Sequence, residues 1–214
     1  MFGFFKKKKA PEQVSDMSCV LAIADCISHS NPAVHADLEQ CLNEPAAYAV
    51  RFAERFEERG IDAAACDADT LCWIAMVDEL EAVHDLIGVD GSSELEDFLW
   101  AVSQLNGGGK PDFSGLDLSE DGDVFQWCAV CNAYLRQQDM LLCGVDIDSD
   151  DLQLILVTTA EYDKISALAE QAGHRIAPAE TLYCLNAMRN NLRRKIKWQK
   201  FRLKRRWSRW TATR

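Results

Sequence analysis

Two short runs in the C-terminal half of the chain are almost continuously apolar, at residues 140 to 146 and 152 to 157. Each has the length of a β-strand and is rich in Leu, Ile and Val. The residues between them, 147 to 151, are mostly Asp and Ser, which favour turns. The pattern predicts a β-hairpin with an acidic turn. Over most of the remaining chain the apolar residues recur at helical spacing instead.

The helical part is predicted from that spacing and from capping signals. The predicted helices cover residues 11 to 28, 31 to 42, 45 to 59, 69 to 86, 93 to 105, 120 to 138 and 159 to 173. Ser93 with Glu96 and Thr158 with Glu161 have the spacing of capping boxes. Residues 89 to 91 are expected to form a turn. We therefore predict an α+β fold that is mostly helical, with a small hairpin, helix and strand unit and a long basic C-terminal helix.

Charge is strongly segregated along the sequence. All 34 acidic residues lie between residues 11 and 188, together with only seven basic ones. Residues 189 to 214 carry twelve Lys or Arg and no acid, and four lysines follow the phenylalanines at the N-terminus. Such asymmetry is informative about partners rather than about the fold. We divide the chain into a Phe- and Lys-rich arm (1–10), an acidic α+β domain (11–178) and a basic amphipathic helix or tail (179–214).

The nine cysteines favour a reducing compartment. Their number is odd and most lie on apolar faces of predicted elements, whereas a secreted disulfide framework has an even number in a loop-rich chain. No apolar run approaches the roughly 20 residues of a membrane span, and the N-terminus lacks the pattern of a signal peptide. We therefore expect a cytoplasmic protein, with association at the inner face of the membrane as an alternative.

Two segments resemble a bacterial domain family of uncharacterised function. Residues 141 to 157, followed by 159 to 173, are similar to the strand, Asp/Ser-rich turn, strand, helix and glycine pattern of that family. Residues 89 to 91, which lead to Phe98, Leu99 and Trp100, resemble its acidic turn before a helix that carries tryptophan. The resemblance covers about residues 70 to 177 and excludes the basic tail. It implies an α+β fold, and it implies no mechanism.

The sequence contains no recognisable catalytic, cofactor-binding or metal-binding motif. Cys128 and Cys131 form a CxxC without a second pair of ligands, so their helical spacing favours core packing. Asp146, Asp148 and Asp150 alternate as in a calcium loop, but the Gly and Glu that such a loop requires are missing. We predict a non-enzymatic protein with no cofactor or metal. An irregular Mg²⁺ or Ca²⁺ site at the turn is the alternative.

The acidic domain suggests a function through charge. A surface with so few balancing cations suits a basic protein partner, because complementary charge speeds and orients the encounter. The hypothesis is a cytosolic binding protein that sequesters such a partner, for example an immunity protein that neutralises a toxin. The predicted contact surface combines the hairpin turn and the loop before the helix at 120 to 138. Its residues are Asp117, Glu120, Asp121, Asp123, Asp146, Asp148, Asp150 and Asp151.

The basic tail supports three alternatives. A basic helix with tryptophans can lie on an anionic membrane, or it can bind nucleic acid through phosphates and stacked bases. It can also fold over the acidic surface of its own chain, because opposite charges attract without any partner. The predicted contact residues of the tail for membrane or nucleic acid are Arg193, Arg194, Lys197, Trp198, Lys200, Arg202, Lys204, Arg205, Trp207 and Trp210.

Overall fold

The computed structural model describes residues 18 to 182, except 107 to 110, 112, 114 and 150. The arm at 1–10 lies outside the described residues, as do the tail contacts predicted between Arg193 and Trp210. Of the predicted long C-terminal helix, the described part is residues 179 to 182, which are helical. The fold below refers to the described residues.

The first part of the described chain consists of helices. They are α1 (Ser18–Ile27), α2 (Pro32–Asn43), α3 (Pro45–Arg51), α4 (Ala53–Glu58) and α5 (Ala68–Ala82). Asn31 caps α2 by accepting a hydrogen bond from the Ala33 backbone N–H, and Pro32 occupies the first turn as expected. Asp67 caps α5 in the same way through the backbone N–H of Thr70.

The second part alternates strands with helices. Its elements are β1 (Ile87–Val89), α6 (Leu95–Ser103), α7 (Val124–Leu135), β2 (Met140–Val145), β3 (Leu152–Thr158), α8 (Thr159–Gln171) and β4 (Ile176–Pro178). The capping box predicted for α8 is present. Thr158 accepts from the Glu161 backbone N–H, and the Glu161 carboxylate accepts from the Thr158 backbone N–H.

The strands form one antiparallel sheet in the order β1-β3-β2-β4. The predicted hairpin is its centre, with Met140 opposite Thr158 and Val145 opposite Gln153. Helices cover both faces, which explains why the two central strands are apolar along nearly their whole length. A sheet with one wet face would have alternated apolar and polar residues instead.

Two hydrophobic cores lie on opposite faces of the sheet. Leu141, Cys143 and Val145 point into the core formed with α1, α2, α5 and α8. The intervening residue Leu142 points, with Leu154 of β3, into the core formed with α6 and α7. This alternation follows from the two-residue period of a strand. The predicted α+β fold is confirmed, with a small sheet enclosed by a majority of helix.

The CxxC lies in the second core. Cys128 and Cys131 are fully buried on the inner face of α7, and both thiols are free. Burial raises the pKa of both thiols, that of Cys131 to about 12. Thiols in this state are neutral and poorly nucleophilic. The pair therefore packs as small hydrophobic side chains, as the sequence predicted.

One prediction around β1 was displaced by a residue and another was wrong. The turn predicted at 89 to 91 follows β1, with the Ser93 backbone N–H donating to the Asp90 carbonyl, but Val89 is the last residue of β1, an edge strand that pairs with β3. A three-residue strand is too short to produce an alternating pattern, so its pairing is determined by the neighbouring strand. The capping box at Ser93 and Glu96 is absent, because α6 begins one residue later than expected, with Glu94 as its cap residue and no side-chain bond.

Three other predicted helices differ in their bounds. The helix expected at 69 to 86 ends at Ala82, and His84 just beyond it has a left-handed backbone, with φ of 60°. The helix expected at 45 to 59 is divided at Phe52, whose ring lies 4.6 Å from that of Tyr48. The guanidinium carbons of Arg51 and Arg55 lie 4.6 and 4.2 Å from the centre of the Phe52 ring, which favours this arrangement. The helix expected from residue 120 begins at Val124, because Asp123 forms a complete capping box.

Candidate functional site

The hairpin turn is held by local hydrogen bonds. The Asp146 backbone N–H donates to the Arg175 carbonyl, and the Asp146 carboxylate accepts from the Asp148 backbone N–H at 3.1 Å. Asp148 has a left-handed backbone, with φ of 58°, which Asp tolerates better than most residues. Asp148 and Asp151 are exposed, whereas Asp146 is half-buried. Asp150 lies outside the described residues.

The loop before α7 contains the other predicted acids. Asp117, Glu120 and Asp121 are exposed. Asp123 is different, because its carboxylate accepts hydrogen bonds from the backbone N–H groups of Phe125 and Gln126. Asp123 therefore has a structural role at the start of α7, and the other three extend into solvent.

The topology brings these two acidic segments to one end of the sheet. A short connection makes α7 antiparallel to β2, and the side chain of Asn132 bonds both the N–H and the carbonyl of Leu142. The start of α7 therefore lies level with the end of β2, where the hairpin turn begins. Val124 shares a core with Leu152, the first residue after the turn, in agreement with this placement.

The start of α5 reaches the same end from the opposite face. The indole N–H of Trp73 donates to the Asp146 carbonyl at 2.9 Å, and the Trp73 ring stacks on His174 at 4.2 Å. Asp67 and Asp69 therefore adjoin the hairpin turn. We call this region the acidic end. Asp90 also belongs to it, because Asp90 follows Val89, which pairs with Leu152 directly after the hairpin turn. The acidic residues of the acidic end are Asp67, Asp69, Asp90, Asp117, Glu120, Asp121, Asp123, Asp146, Asp148 and Asp151.

A cavity of about 390 Å³ opens at the acidic end between α5, the hairpin turn and the start of β4. Thr70, Trp73, Asp146, His174 and Arg175 are among its lining residues. Burial lowers the pKa of His174, although nearby Asp69 acts in the opposite direction. Nε2 of His174 and Nη2 of Arg175 are buried without a hydrogen-bond partner. Both residues line the cavity, although neither of these two atoms is accessible to solvent.

A second group of charged residues joins α4 to α5, and the sequence analysis did not identify it. Arg55 and the Tyr48 hydroxyl both donate to the buried carboxylate of Glu79, at 2.7 and 2.6 Å. Arg59 donates to Asp78 at 2.6 Å and to Glu81 at 2.7 Å. We call these six residues the ion-paired cluster.

At Asp78 the cost of desolvation outweighs the attraction of the nearby cation. Burial raises the pKa of Asp78 in spite of the nearby Arg59 guanidinium, and one Asp78 carboxylate oxygen has no hydrogen-bond partner. A sequence signal was present. Arg51, Arg55 and Arg59 recur every four residues, and three carboxylates interrupt the apolar run that begins at Leu71 in α5. The arginines beside α4 and the carboxylates of α5 have opposite charges and pair with each other, so the cluster joins the two helices.

Acidic side chains greatly outnumber basic ones among the described residues. The described residues include 30 acidic and six basic side chains, of which 20 acidic and three basic ones are exposed. Four of the six cations are bound to carboxylates, namely Arg51, Arg55, Arg59 and Arg136. The surface of the described chain is therefore strongly negative, and few cations are left to balance it.

The comparison with family models identifies this chain. A model described as a domain of unknown function, DUF6630, matches residues 19 to 179. The chain belongs to this family. The DUF6630 match begins earlier than the resemblance noted at 70 to 177, so it includes the N-terminal helices and both cores. No curated protein and no solved structure matched the chain.

Two kinds of feature are absent from the described part of the DUF6630 chain. Within the described ranges, no three His, Cys, Asp or Glu side chains are arranged to hold a metal ion. No helix in this part of the chain is both long and apolar enough to cross a membrane. The absence of a cofactor and of a metal stays a prediction.

Proposed function

We propose that this DUF6630 protein is a non-enzymatic binding protein whose acidic surface sequesters a basic protein partner. The observation that carries the proposal is the excess of exposed acids over exposed cations in the described chain. The cations present are mostly engaged with carboxylates of the same chain, so they do not neutralise the surface. A surface of one sign attracts an oppositely charged partner over about a Debye length and speeds the encounter.

The acidic end is the proposed contact surface. Asp117, Glu120, Asp121 and Asp151 are exposed, and none of their carboxylates has a described structural bond. Asp123 and Asp146 also belong to the surface, but their carboxylates accept backbone N–H groups that hold the fold. An immunity protein that neutralises a basic toxin is the specific form of this proposal. A cytoplasmic location belongs to the same proposal.

The test is charge reversal with a matched control. The first variant replaces Asp117, Glu120, Asp121 and Asp151 with Lys, which avoids the structural acids and the left-handed Asp148. The control replaces four other exposed acids with Lys, namely Glu39, Glu57, Asp163 and Glu170. Both variants have the same net charge. A basic protein captured from native cytosol by the wild type and the control, and lost from the first variant, supports the proposal.

The outcomes that refute it are equally specific. Equal retention of every captured protein by both variants places the contact elsewhere. Equal loss from both shows that capture depends on net charge alone and requires no surface. Thermal unfolding of both variants verifies that each is folded.

The basic tail carries a second candidate, a peripheral membrane protein held by its two basic ends. The supporting observation is the run of twelve cations without an acid, together with three tryptophans, in residues 189 to 214. Deletion of these residues is then expected to release the protein from vesicles that contain anionic lipid. If the protein without these residues still sediments with the vesicles, this candidate is refuted. If the tail binds nucleic acid and does not bind vesicles, a nucleic-acid-binding protein replaces this candidate.

A further inference from the structure

An apolar groove lies on the helical side of the sheet, between α3, the start of α4 and the segment before α5. Its volume is about 520 Å³. The lining residues have no charged side chain, and they are Pro45, Ala46, Ala49, Val50, Ala53, Ala63, Ala64, Cys66, Ala68 and Leu71. Leu71 is buried, whereas Val50 is 79% exposed. An uncharged concavity of this size stands out on a surface so rich in carboxylates.

Acidic residues surround this groove. Glu44 precedes Pro45, Glu54 follows Ala53, Asp62 precedes Ala63 and Asp67 precedes Ala68 in the sequence. All four acids are exposed. Because each is bonded in the chain to a lining residue, four exposed acids adjoin the groove, and we call them the acidic rim.

The cation bonded in the chain to a lining residue is already engaged, and Arg55, which follows Glu54, is paired with Glu79. Arg51 follows Val50, and its guanidinium donates to Asp37 and Gln40, both at 2.7 Å. It is therefore held toward α2 by two hydrogen bonds. The groove thus combines an apolar floor with an unbalanced acidic rim.

We propose that this groove binds an apolar side chain presented by a cationic segment of the partner. The inference rests on the proposed function and identifies the chemistry of the partner's contact. Apolar anchors in a groove provide most of the affinity in helix-in-groove recognition, and the charges around them select the partner. An apolar floor offers a bare polycation no anchor, and an acidic rim repels an acidic helix and adds no charge attraction for a neutral one. The groove therefore fits an amphipathic, basic segment.

The occupant is placed on a partner by charge, because the acidic rim suits a basic segment and the last described residue before the tail lies on the other face of the sheet. Leu182, the last described residue, packs on Gly144, its Cδ2 only 2.8 Å from where a Cβ would stand there. Gly144 pairs with Leu154, which points into the second core, under α6 and α7. The groove lies on the face of the first core.

Two synthetic helical peptides of equal charge test the groove. One carries Lys with Leu along one face, and the other carries Lys with Ser in place of every Leu. The full chain is titrated with each peptide by calorimetry, and so are Val50→Asp and Val130→Asp. Val130 is a large apolar residue that is 38% exposed on α7, so it receives the same charge change away from the groove.

The two substitutions separate apolar docking from charge attraction. If the groove binds the apolar side chains, Val50→Asp weakens the Lys/Leu peptide about tenfold, although it adds a negative charge that favours the peptide. Val130→Asp leaves that affinity unchanged or slightly tighter, and the Lys/Ser peptide binds weakly to all three proteins. Tighter or unchanged binding of the Lys/Leu peptide to Val50→Asp overturns the inference. Unfolding of both variants at the wild-type temperature verifies that they are folded.

Further outcomes distinguish the occupant and the two proposals. If the Lys/Leu peptide binds only after residues 189 to 214 or residues 1 to 10 are removed from the full chain, the tail or the arm of this chain fills the groove and the partner is overturned as its occupant. If a captured partner loses binding on charge reversal at the acidic end but binds Val50→Asp as well as the wild type, the groove proposal is refuted and the proposed function stands. If charge reversal at the acidic end leaves the captured partner bound, while Val50→Asp abolishes binding of the Lys/Leu peptide, the acidic end is refuted as the contact surface and the groove proposal stands.

Discussion

The ion-paired cluster and the acidic end are both rich in carboxylates, but they differ in what balances them. In the ion-paired cluster Asp78, Glu79 and Glu81 face Arg55 and Arg59 at 2.6 to 2.7 Å. At the acidic end the carboxylates of Asp117, Glu120 and Asp121 are exposed, with no described cation paired to them.

The difference separates charges that hold the fold from charges available to a partner. A buried carboxylate requires its counter-ion, because desolvation is costly without it. An exposed carboxylate interacts with water and contributes little to stability. Mutations in the ion-paired cluster are therefore expected to change the stability of the fold, whereas mutations at the acidic end are expected to change the binding of a partner.

The largest effect on stability is expected from Arg59→Leu. It leaves Asp78 buried without its counter-ion, so the free energy of unfolding is expected to fall by about 3 kcal/mol. Urea denaturation measures the loss. The double variant Arg59→Leu with Asp78→Leu is expected to recover much of it, because no buried charge is left unpaired. An equal or larger loss in the double variant contradicts this account of the cluster.

A smaller effect is expected from Tyr48→Phe. The Tyr48 hydroxyl is buried and donates to the Glu79 carboxylate at 2.6 Å. Its removal is expected to cost about 1.5 kcal/mol, the usual value for a hydrogen bond to a charged group. Tyr134→Phe is the control, since Tyr134 is half-buried and packs by its ring against Phe113. Similar losses in the two variants, measured by urea denaturation, would show that the Glu79 bond contributes nothing specific.

Within the acidic end, Asp123→Ala and Asp121→Ala are expected to differ. Asp123 caps α7, so its loss is expected to cost about 1 kcal/mol. Asp121 is exposed two residues earlier, and its replacement is expected to change stability by less than about 0.5 kcal/mol. Thermal unfolding compares the two. If they destabilise equally, Asp121 also has a structural role, and the proposed contact surface is smaller.

The smallest effect concerns pH at the acidic end. Burial lowers the pKa of His174 below 6.5, so the folded protein binds fewer protons there than the unfolded chain. The stability contributed by neutral His174 is complete above pH 6.5 and is lost as the pH falls through 6.5 towards the folded pKa. His174→Phe keeps an aromatic ring beside Trp73, and it is expected to lose less stability than the wild type between about pH 7.5 and about pH 5.5. Equal losses in urea denaturation would remove His174 as the cause.

Much of the fold was predictable because its signals are local. The apolar runs of β2 and β3, the Asn31–Pro32 start of α2 and the capping box at Thr158 each lie within a few residues. The edge strand β1 was not predictable, since three residues carry no period and its pairing with β3 comes from distant sequence.

The candidate sites were predictable to a lesser degree. The sequence indicated which acids are concentrated in the turn and in the loop, but their meeting at one end of the sheet depends on the antiparallel packing of α7 on β2. The ion-paired cluster was missed because Glu79 and Arg55 are 24 residues apart and meet only after α4 packs on α5. The groove at Val50 was missed because alanines spread over three helices and the segment before α5 indicate no concave surface.

The most direct test of the central claim is the association rate of a captured basic partner at low and high salt. The account predicts fast association with the wild type that slows steeply as salt is added. It also predicts slower, less salt-dependent association with the variant carrying Lys at 117, 120, 121 and 151, while the control with Lys at 39, 57, 163 and 170 stays close to the wild type. Equal rates and equal salt dependence in all three proteins would contradict a role for the acidic end.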